Sequence, residues 1–140
     1  MKILVVDDET DVRMLFEQRF RREIRNGAYS FSFAYSGEEA LAYLRDHPSE
    51  VVLILSDINM PGMSGLELLR RVRKEYPTPL PPAPIVMMVT AYGDQETHEQ
   101  AMRLGADDLL TKPVDFGALK NTLQALAFPA GTGAAPSTNN

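Results

Sequence analysis

The chain contains no cysteine, no long apolar run and no excess of positive charge. Without cysteine no disulfide can form, and we read this as the composition of a cytoplasmic protein. No segment approaches the roughly 20 apolar residues of a membrane span. The short apolar run near the start is followed at once by acidic residues, which predicts no secretory signal. A formal net charge of −5 argues against non-specific binding to nucleic acid.

Signatures of several enzyme classes are missing as well. The only two histidines, His47 and His98, lie far apart in polar contexts, so we read both as surface side chains and expect no zinc site. We find no Ser–His pair for acyl transfer and no G-x-G-x-x-G loop for a dinucleotide. The sequence therefore does not suit acyl transfer or hydride transfer.

The length of 140 residues predicts one domain with a single hydrophobic core. We place this domain at residues 1–127. Residues 128–140 are rich in Ala, Gly and Pro, and we expect a disordered tail or a truncated linker there. Residues 76–84 are rich in proline and are read as a stiff loop, with an SH3 or WW ligand as the alternative.

Apolar segments alternate with helical patterns along the domain. The predicted strands are residues 3–6, 30–35, 51–55, 85–89 and 108–110. Most are continuously apolar, which predicts a parallel sheet that is covered on both faces. The β-α order, repeated five times, is typical of a doubly wound α/β fold with right-handed crossovers.

Start and stop signals mark the helices between these strands. The first helix carries apolar residues at helical spacing from Val12 to Ile24. Ser36 and Ser64 are each followed three residues later by glutamate, which is the pattern of a capping box. The other predicted signals are N-caps at Asp94 and Asp115 and a C-terminal glycine at Gly105.

Polar side chains stand where four of the strands end. Asp7 and Asp8 follow the first strand, Asp57 the third, Thr90 the fourth and Lys112 the fifth. Each has an ordinary explanation by itself, as a helix cap, a turn residue or a surface charge. Together they converge, because ligands of an open parallel sheet bind beyond the carboxyl ends of its strands.

Electrostatics indicates what such a cluster needs. Two carboxylates about 4 Å apart repel by about 4 kcal/mol at an effective dielectric of 20. Three acids therefore require a cation or a proton. Lys112 supplies one positive charge, and a divalent ion with oxygen ligands would supply the rest, which favours Mg²⁺ with Mn²⁺ as an alternative. This set suits phosphoryl transfer to an aspartate nucleophile.

Four motifs resemble the receiver domain of two-component response regulators, over about residues 1–127. They are ILVVDDE at 3–9, LILSDINMPGMSGLELL at 53–69, VMMVTAYGD at 86–94 and GADDLLTKP at 105–113. The resemblance implies a flavodoxin-like (βα)₅ fold with strand order 2-1-3-4-5. It also implies a signalling switch that catalyses only its own phosphorylation and dephosphorylation, rather than an enzyme.

The resemblance assigns a role to each site residue. Asp57 matches the phosphoacceptor, Asp8 a direct Mg²⁺ ligand, and Asp7 a ligand that acts through water. The backbone carbonyl of Asn59 matches the third protein ligand of the metal.

Further positions match the phosphoryl-binding part of the family's site. Thr90 matches the switch hydroxyl, and the backbone N–H of Ala91 is expected to contact the phosphoryl group. Lys112 matches the lysine that pairs with that group, and the Lys112-Pro113 bond is expected to be cis. Pro61-Gly62 and Gly65 match the turn after the acceptor.

Two positions depart from the family's usual pattern. Leu109 occupies the place of a tyrosine or phenylalanine whose ring turns inward with the threonine, so the usual coupled switch is not implied. Thr122 stands where DNA-binding members with the common dimer, formed through the fourth helix, fifth strand and fifth helix, carry arginine, so that particular dimer and a DNA-binding output are not implied. A homodimer of another kind stays among the expected partners. Tyr92 is a candidate shield of the acyl phosphate against water.

The implied partners are a sensor histidine kinase or phosphotransfer protein, and a downstream effector or a fused output domain. The expected output surface is formed by the fourth helix, fifth strand and fifth helix of the family's pattern. We expect no membrane contact and no direct nucleic-acid binding by this domain. Two alternatives remain: a receiver-shaped interaction module that is never phosphorylated, and an aspartate-nucleophile phosphatase. The second is disfavoured because the nucleophile of that class follows its first strand in a D-x-D motif.

Overall fold

A computed structural model describes residues 1–78 and 83–127, and within these ranges the chain forms five strands and six helices. In chain order they are β1 (Lys2–Val6), α1 (Asp11–Arg19), α2 (Arg21–Arg25), β2 (Ser30–Ala34), α3 (Gly37–Asp46), β3 (Val51–Asp57), α4 (Gly65–Glu75), β4 (Ile85–Thr90), α5 (Gln95–Arg103), β5 (Asp108–Thr111) and α6 (Phe116–Ala127).

The five strands form one parallel sheet in the order β2-β1-β3-β4-β5. The predicted doubly wound fold and its strand order are confirmed. All five predicted strands are present with bounds shifted by at most two residues. The largest shift is in β3, which continues through Asp57, so the carboxylate is the last residue of the strand.

The first predicted helix is divided in two. Phe20 leaves the helical conformation, with φ −109° and ψ 24°, and its side chain is fully buried. The ring packs against Phe16, Tyr29, Phe31 and Phe116. Packing of this aromatic cluster accompanies the break, and the apolar spacing alone did not reveal it because the spacing continues across it.

The core consists of two layers, one on each face of the sheet. Alternate residues of a strand point to opposite faces. In β1, Leu4 and Val6 join the cluster under α3 and α4, whereas Ile3 and Val5 join the cluster under α1 and α6. The continuous apolar strands of the sequence follow from this burial on both sides.

The predicted N-caps begin their helices. Ser36 accepts a hydrogen bond from the N–H of Glu39 at 3.0 Å, and Ser64 accepts one from the N–H of Glu67 at 3.1 Å. Asp94 and Asp115 cap α5 and α6 in the same way. These bonds satisfy backbone donors that the helix itself leaves without partners.

Two predictions fall partly or wholly outside the described residues. The tail at 128–140 lies outside them, and so do residues 79–82 of the proline-rich loop. Within the described ranges, no helix has the length and apolar character needed to cross a membrane.

Candidate functional site

The sheet order brings the predicted site residues to one edge. β1 and β3 are neighbours with Val6 opposite Ser56, so Asp7 and Asp57 leave the sheet side by side. On the other side of β3, β4 ends at Thr90, which pairs with Thr111 of β5, and Lys112 follows directly. Residues from four separate stretches of the chain therefore meet at the carboxyl ends of β1, β3, β4 and β5.

Three carboxylates form a cluster at this edge. One oxygen from each of Asp7, Asp8 and Asp57 lies within 4.8 Å of the others. Asp7 is 6% exposed and Asp57 is 5% exposed, so water screens their charges poorly. Two buried carboxylates at this separation require a nearby cation or a proton on one of them.

Lys112 provides a cation at the cluster. Its Nζ donates a hydrogen bond to Asp57 Oδ2 at 3.0 Å. The same nitrogen lies 3.8 Å from Asp7 Oδ2 and 4.0 Å from Glu9 Oε1. One ammonium group therefore faces three carboxylates, and the peptide bond that follows it, Lys112-Pro113, is cis as the resemblance implies.

The pKa values of Asp7 and Lys112 are both shifted by burial and by the neighbouring charges. Burial raises the pKa of the Asp7 carboxyl, and the charge of Asp57 raises it further, against the lowering effects of the Glu9 N–H and of Lys112. Burial works against the charged form of Lys112, but the hydrogen bond to Asp57 and the neighbouring carboxylates outweigh it, so the pKa of Lys112 is raised. The site holds more negative charge than its lysine balances.

The backbone around Asp57 is held by the start of α4. Gly65 N–H donates to the carbonyl of Ile58 at 2.8 Å, which closes the loop after the strand. A Cβ at Gly65 would lie 2.8 Å from Ile58 Cα and overlap the Asp57 carbonyl. Only glycine permits this close approach. Asp57 Oδ1 also accepts a hydrogen bond from Asn59 N–H at 3.3 Å.

An open cavity of about 550 Å³ lies over the cluster. Its lining includes the carboxylates of Asp8 and Asp57, together with Asn59, Ala91, Tyr92 and Lys112. Most of the predicted site residues thus line one open cavity.

Thr90, like Asp7, is a predicted site residue that does not line this cavity. It is 1% exposed, and its hydroxyl accepts from Tyr92 N–H at 3.0 Å and donates to the Tyr92 carbonyl at 3.4 Å. The Tyr92 side chain is 68% exposed. In this conformation the Thr90 hydroxyl is therefore engaged by the backbone of its own loop.

The two departures from the family's pattern lie away from the carboxylates. Leu109 is partly buried and packs against the core layer under α3 and α4. Thr122 donates its hydroxyl to the Ala118 carbonyl within α6, at 3.2 Å. Both side chains have ordinary structural partners in these positions.

The donor set at the cluster fits a magnesium ion. The nearby groups are carboxylates and backbone carbonyls, and such oxygen ligands suit Mg²⁺ and Mn²⁺ rather than soft metals. The cluster holds three carboxylates, and Lys112 supplies a single positive charge beside them. A divalent cation would remove this imbalance.

Two features of the site were not predicted from the sequence. Glu9 Oε1 lies 4.0 Å from Lys112 Nζ, although the motif that contains Glu9 predicts no role for this residue. A second cavity, of about 520 Å³, extends from Asp57 and Lys112 along apolar side chains of α1 and α6, including Leu15 and Phe116. The sequence could not predict this cavity, because α1 and α6 are far apart in the chain and meet only in the folded structure.

Residues 3–124 match the family model of the response regulator receiver domain. The chain belongs to this family. Its members are the receiver domains of two-component signalling systems, so the protein carries a signalling domain with the fold and the edge cluster described above.

Curated relatives agree with this membership. The transcriptional regulatory protein ZraR of Salmonella typhimurium is 36% identical over 133 residues, which cover 94% of this chain and 28% of ZraR. The response regulator protein PilR of Pseudomonas aeruginosa is 39% identical over 123 residues, covering 85% of this chain and 24% of PilR. The response regulator RppA of Synechocystis is 36% identical over 126 residues, 90% of this chain and 50% of RppA. The receiver chain thus spans half or less of the length of these relatives.

Solved structures show the same fold. The chemotaxis protein CheY4 of Vibrio cholerae matches with a TM-score of 0.73 and 30% identity, covering 88% of this receiver chain and 95% of CheY4. A CheY-like receiver domain protein of Methanospirillum hungatei matches with a TM-score of 0.75 and 29% identity, covering 90% and 92% of the two chains.

Proposed function

We propose that this receiver domain accepts a phosphoryl group on Asp57 from a phosphohistidine of a sensor histidine kinase or a phosphotransfer protein. One observation carries the proposal: the Lys112 ammonium lies 3.0 Å from Asp57 Oδ2 within a cluster of three carboxylates at the sheet edge. Asp57 lines an open cavity through which a donor would approach, and its reaction product would be paired with a fixed cation.

The proposed reaction is a displacement at phosphorus. A carboxylate oxygen of Asp57 forms the new O–P bond, while the N–P bond of the phosphohistidine breaks and its electron pair returns to the imidazole. Hydrolysis of the resulting acyl phosphate by water releases inorganic phosphate and restores the carboxylate. Lys112 pairs with the added negative charge throughout, because its raised pKa keeps the ammonium protonated.

The metal-binding part of the proposal uses the acidic cluster. Asp8, Asp57 and the backbone carbonyl of Asn59 would hold Mg²⁺ directly, and Asp7 would hold it through a water molecule. When bound, the ion neutralises carboxylate and phosphoryl oxygens and so lowers the electrostatic cost of bringing them together. Mn²⁺ is the alternative ion.

The phosphoryl group is proposed to act through Thr90. To contact a phosphoryl oxygen, the Thr90 hydroxyl must give up its bonds to the Tyr92 backbone. The Ala91 N–H would bind another oxygen. Movement of this loop would bias the surface of α5, β5 and α6, which correspond to the fourth helix, fifth strand and fifth helix of the family's pattern. Leu109 has no aromatic ring that could turn inward as in the family's usual switch, so the conformational change would pass through the loop that follows Thr90. Tyr92 would partly shield the acyl phosphate.

The proposed partners follow from this role. A kinase or phosphotransfer protein would act upstream, and an effector protein or a fused output domain downstream. We place the receiver domain at residues 1–127, followed by a tail or linker, and expect it in the cytoplasm as a signalling switch rather than an enzyme. The net charge of −5 favours protein partners over nucleic acid. A homodimer remains an open alternative.

The test is phosphorylation by a small donor. The purified chain is incubated with acetyl phosphate and Mg²⁺, and its intact mass is recorded. We expect one added phosphoryl group that is absent in Asp57→Asn and absent when EDTA removes the metal. Asp46→Asn, the same chemical change at an exposed position at the end of α3, should be phosphorylated like the unchanged chain.

A different result would favour the alternative function. If Mg²⁺ binds, the fold is intact and no adduct forms with acetyl phosphate or with phosphoramidate, the domain is better described as a receiver-shaped interaction module. An adduct that persists in Asp57→Asn would assign the acceptor to another residue.

A further inference from the structure

A third cavity, with a charged lining, lies between α2 and α6, apart from the acidic cluster. Its volume is about 550 Å³, and its charged lining consists of Arg19, Arg21, Arg22, Arg25, Lys120 and Glu23. Five cationic groups and one anionic group give a local net charge of +4. The whole chain carries −5, so the surface outside this cavity carries −9. The local charge of the cavity is therefore opposite in sign to the net charge of the protein.

Most of the five cations of this cavity have no ion-pair partner within the part of the chain that the structure describes. Its one carboxylate, Glu23, pairs with Lys120 at 3.4 Å. Arg21, Arg22 and Arg25 are exposed and form no ion pair with any carboxylate in the part of the chain that the structure describes. Their charges add repulsion with no internal partner, which indicates an external anion.

The break of the first helix places these arginines together. Positions 21 and 25 are four apart and positions 22 and 25 three apart, so they share one side of the short helix α2. The buried ring of Phe20 fixes the start of α2 against α6, and Lys120 Nζ lies 5.3 Å from the centre of that ring. Two elements that are distant in sequence thereby form the walls of one basic cavity.

We propose that this cavity binds a compact polyanion with two or more linked phosphate groups, such as inorganic polyphosphate or a nucleoside polyphosphate. Guanidinium groups bind phosphate through pairs of parallel hydrogen bonds, which favours arginine over lysine for this ligand. The volume lies in the range of small-molecule sites.

The charge distribution favours a compact ligand over a long or flat one. A ligand confined to the cavity interacts mainly with the local charge of +4, because the Debye length is about 8 Å at physiological ionic strength. A nucleic-acid chain or an anionic membrane would also face the acidic remainder of the surface. We expect this binding to be independent of Asp57, since among the described residues this cavity shares only Arg19 with the apolar cavity next to the phosphoacceptor.

The test is calorimetric titration of the full chain with sodium tripolyphosphate in metal-free buffer, so that Mg²⁺ does not sequester the probe. We expect saturable binding of one ligand per chain that weakens with added salt. The variant Arg21→Gln/Arg22→Gln/Arg25→Gln should lose affinity by about tenfold or more, because charge-assisted hydrogen bonds are removed. A parallel titration with ATP separates the sources: equal affinity assigns the binding to the phosphates, and tighter binding of ATP adds a nucleoside contact.

A matched control tests whether total charge alone explains the binding. The variant Arg45→Gln/Lys74→Gln/Arg103→Gln removes the same charge from exposed positions elsewhere and should keep the affinity within about twofold. Both variants should retain the thermal unfolding midpoint and the phosphorylation by acetyl phosphate.

Three results would overturn the proposal. They are the absence of saturable tripolyphosphate binding, an equal loss of affinity in both triple variants, and tighter binding of phosphatidylserine-containing vesicles or a polyglutamate peptide than of tripolyphosphate. The last result would replace the compact ligand with a membrane or protein partner.

Discussion

Lys112 Nζ and Asp57 Oδ2 lie 3.0 Å apart, although 55 residues separate them in the chain. The sheet order explains the contact, because β3 and β5 flank β4 and end at the same edge. The ammonium also faces Asp7 and Glu9, so one positive charge interacts with three carboxylates.

Removal of the Lys112 charge should slow phosphorylation. In Lys112→Gln we expect the rate with acetyl phosphate to fall by about 10²-fold, since a fixed donor to the developing negative charge is lost. Lys120→Gln changes the same residue type in the same region of the chain and should leave the rate within about twofold. Rates are measured from the increase in intact mass with time. An unchanged rate in Lys112→Gln would remove the lysine from the proposed mechanism.

Magnesium should stabilise the folded chain through the acidic cluster. A ligand that binds only the folded state adds about 2.7 kcal/mol at a concentration of 100 Kd. Thermal unfolding followed by circular dichroism should show a midpoint that rises with Mg²⁺, and Asp8→Asn should lose most of this rise. Asp46→Asn should keep it, and NaCl at matched ionic strength should not reproduce it. An equal rise in Asp8→Asn would place the ion elsewhere.

Arg73 should be the most costly arginine to replace for stability. It is 11% exposed and donates to the carbonyls of Gly105 and Pro84 and to Asp107 Oδ2, at 2.7 to 2.8 Å. We expect Arg73→Met to lower the free energy of unfolding by about 2–4 kcal/mol, because the partly buried carbonyls of Gly105 and Pro84 lose their donor.

Two further variants make the Arg73 prediction specific. Arg73→Lys should recover little, since one ammonium cannot reach three separated acceptors. Arg70→Met breaks an exposed pair with Glu67 but leaves the second pair, between Arg71 and Glu67, in place, so it should cost less than about 1 kcal/mol. Urea unfolding measures all three variants. Equal losses in Arg70→Met and Arg73→Met would show that the buried contacts carry no special weight.

Gly65 should not tolerate even one added methyl group. A Cβ there would lie 2.8 Å from Ile58 Cα, so Gly65→Ala should destabilise the fold by at least about 2 kcal/mol and slow phosphorylation through displacement of Asp57. Gly117 offers the matched control, because its Cβ would meet only Asp115 Oδ1, at 3.4 Å. Gly117→Ala should be neutral or stabilising by about 0.5 kcal/mol. Chemical denaturation compares the two, and similar losses would contradict the steric argument.

The Glu67 carboxyl should titrate at unusually low pH. Hydrogen bonds from Arg70, and then from Arg71, lower its pKa to about 2. A carboxyl with a lowered folded pKa stabilises the fold above its ordinary pKa near 4.3, and this contribution is lost as the pH falls through about 2. NMR of the side-chain carboxyl carbon should show this midpoint. In Arg70→Gln/Arg71→Gln the midpoint should return toward the ordinary value. A midpoint near 4 in the unchanged chain would disprove the pairing in solution.

Local patterns were sufficient for the elements and their order. The strand segments were recognisable because a sheet buried on both faces needs continuous apolar residues. Ser36, Ser64, Asp94 and Asp115 marked helix starts because the first turn of any helix needs acceptors for its free N–H groups. The alternation of these elements, together with four motifs, predicted the fold and the receiver family.

Tertiary contacts decided what local patterns cannot express. The division of the first helix at Phe20 accompanies the packing of its ring against residues from β2 and α6, and the apolar spacing on either side is unbroken. Likewise, Thr90 was placed correctly at the end of β4, yet the bonds of its hydroxyl to the Tyr92 backbone depend on how the loop folds back.

The order of amino acids is enough to show which chemical groups this protein carries and at which strand ends they stand. Packing of the fold is what brings Lys112 to Asp57, Asp7 and Glu9 at once, and Lys120 to the arginines of α2. The physical reason is the same in both cases. Electrostatic interactions depend on distance in space, and the packing of helices on the sheet sets that distance independently of separation along the chain.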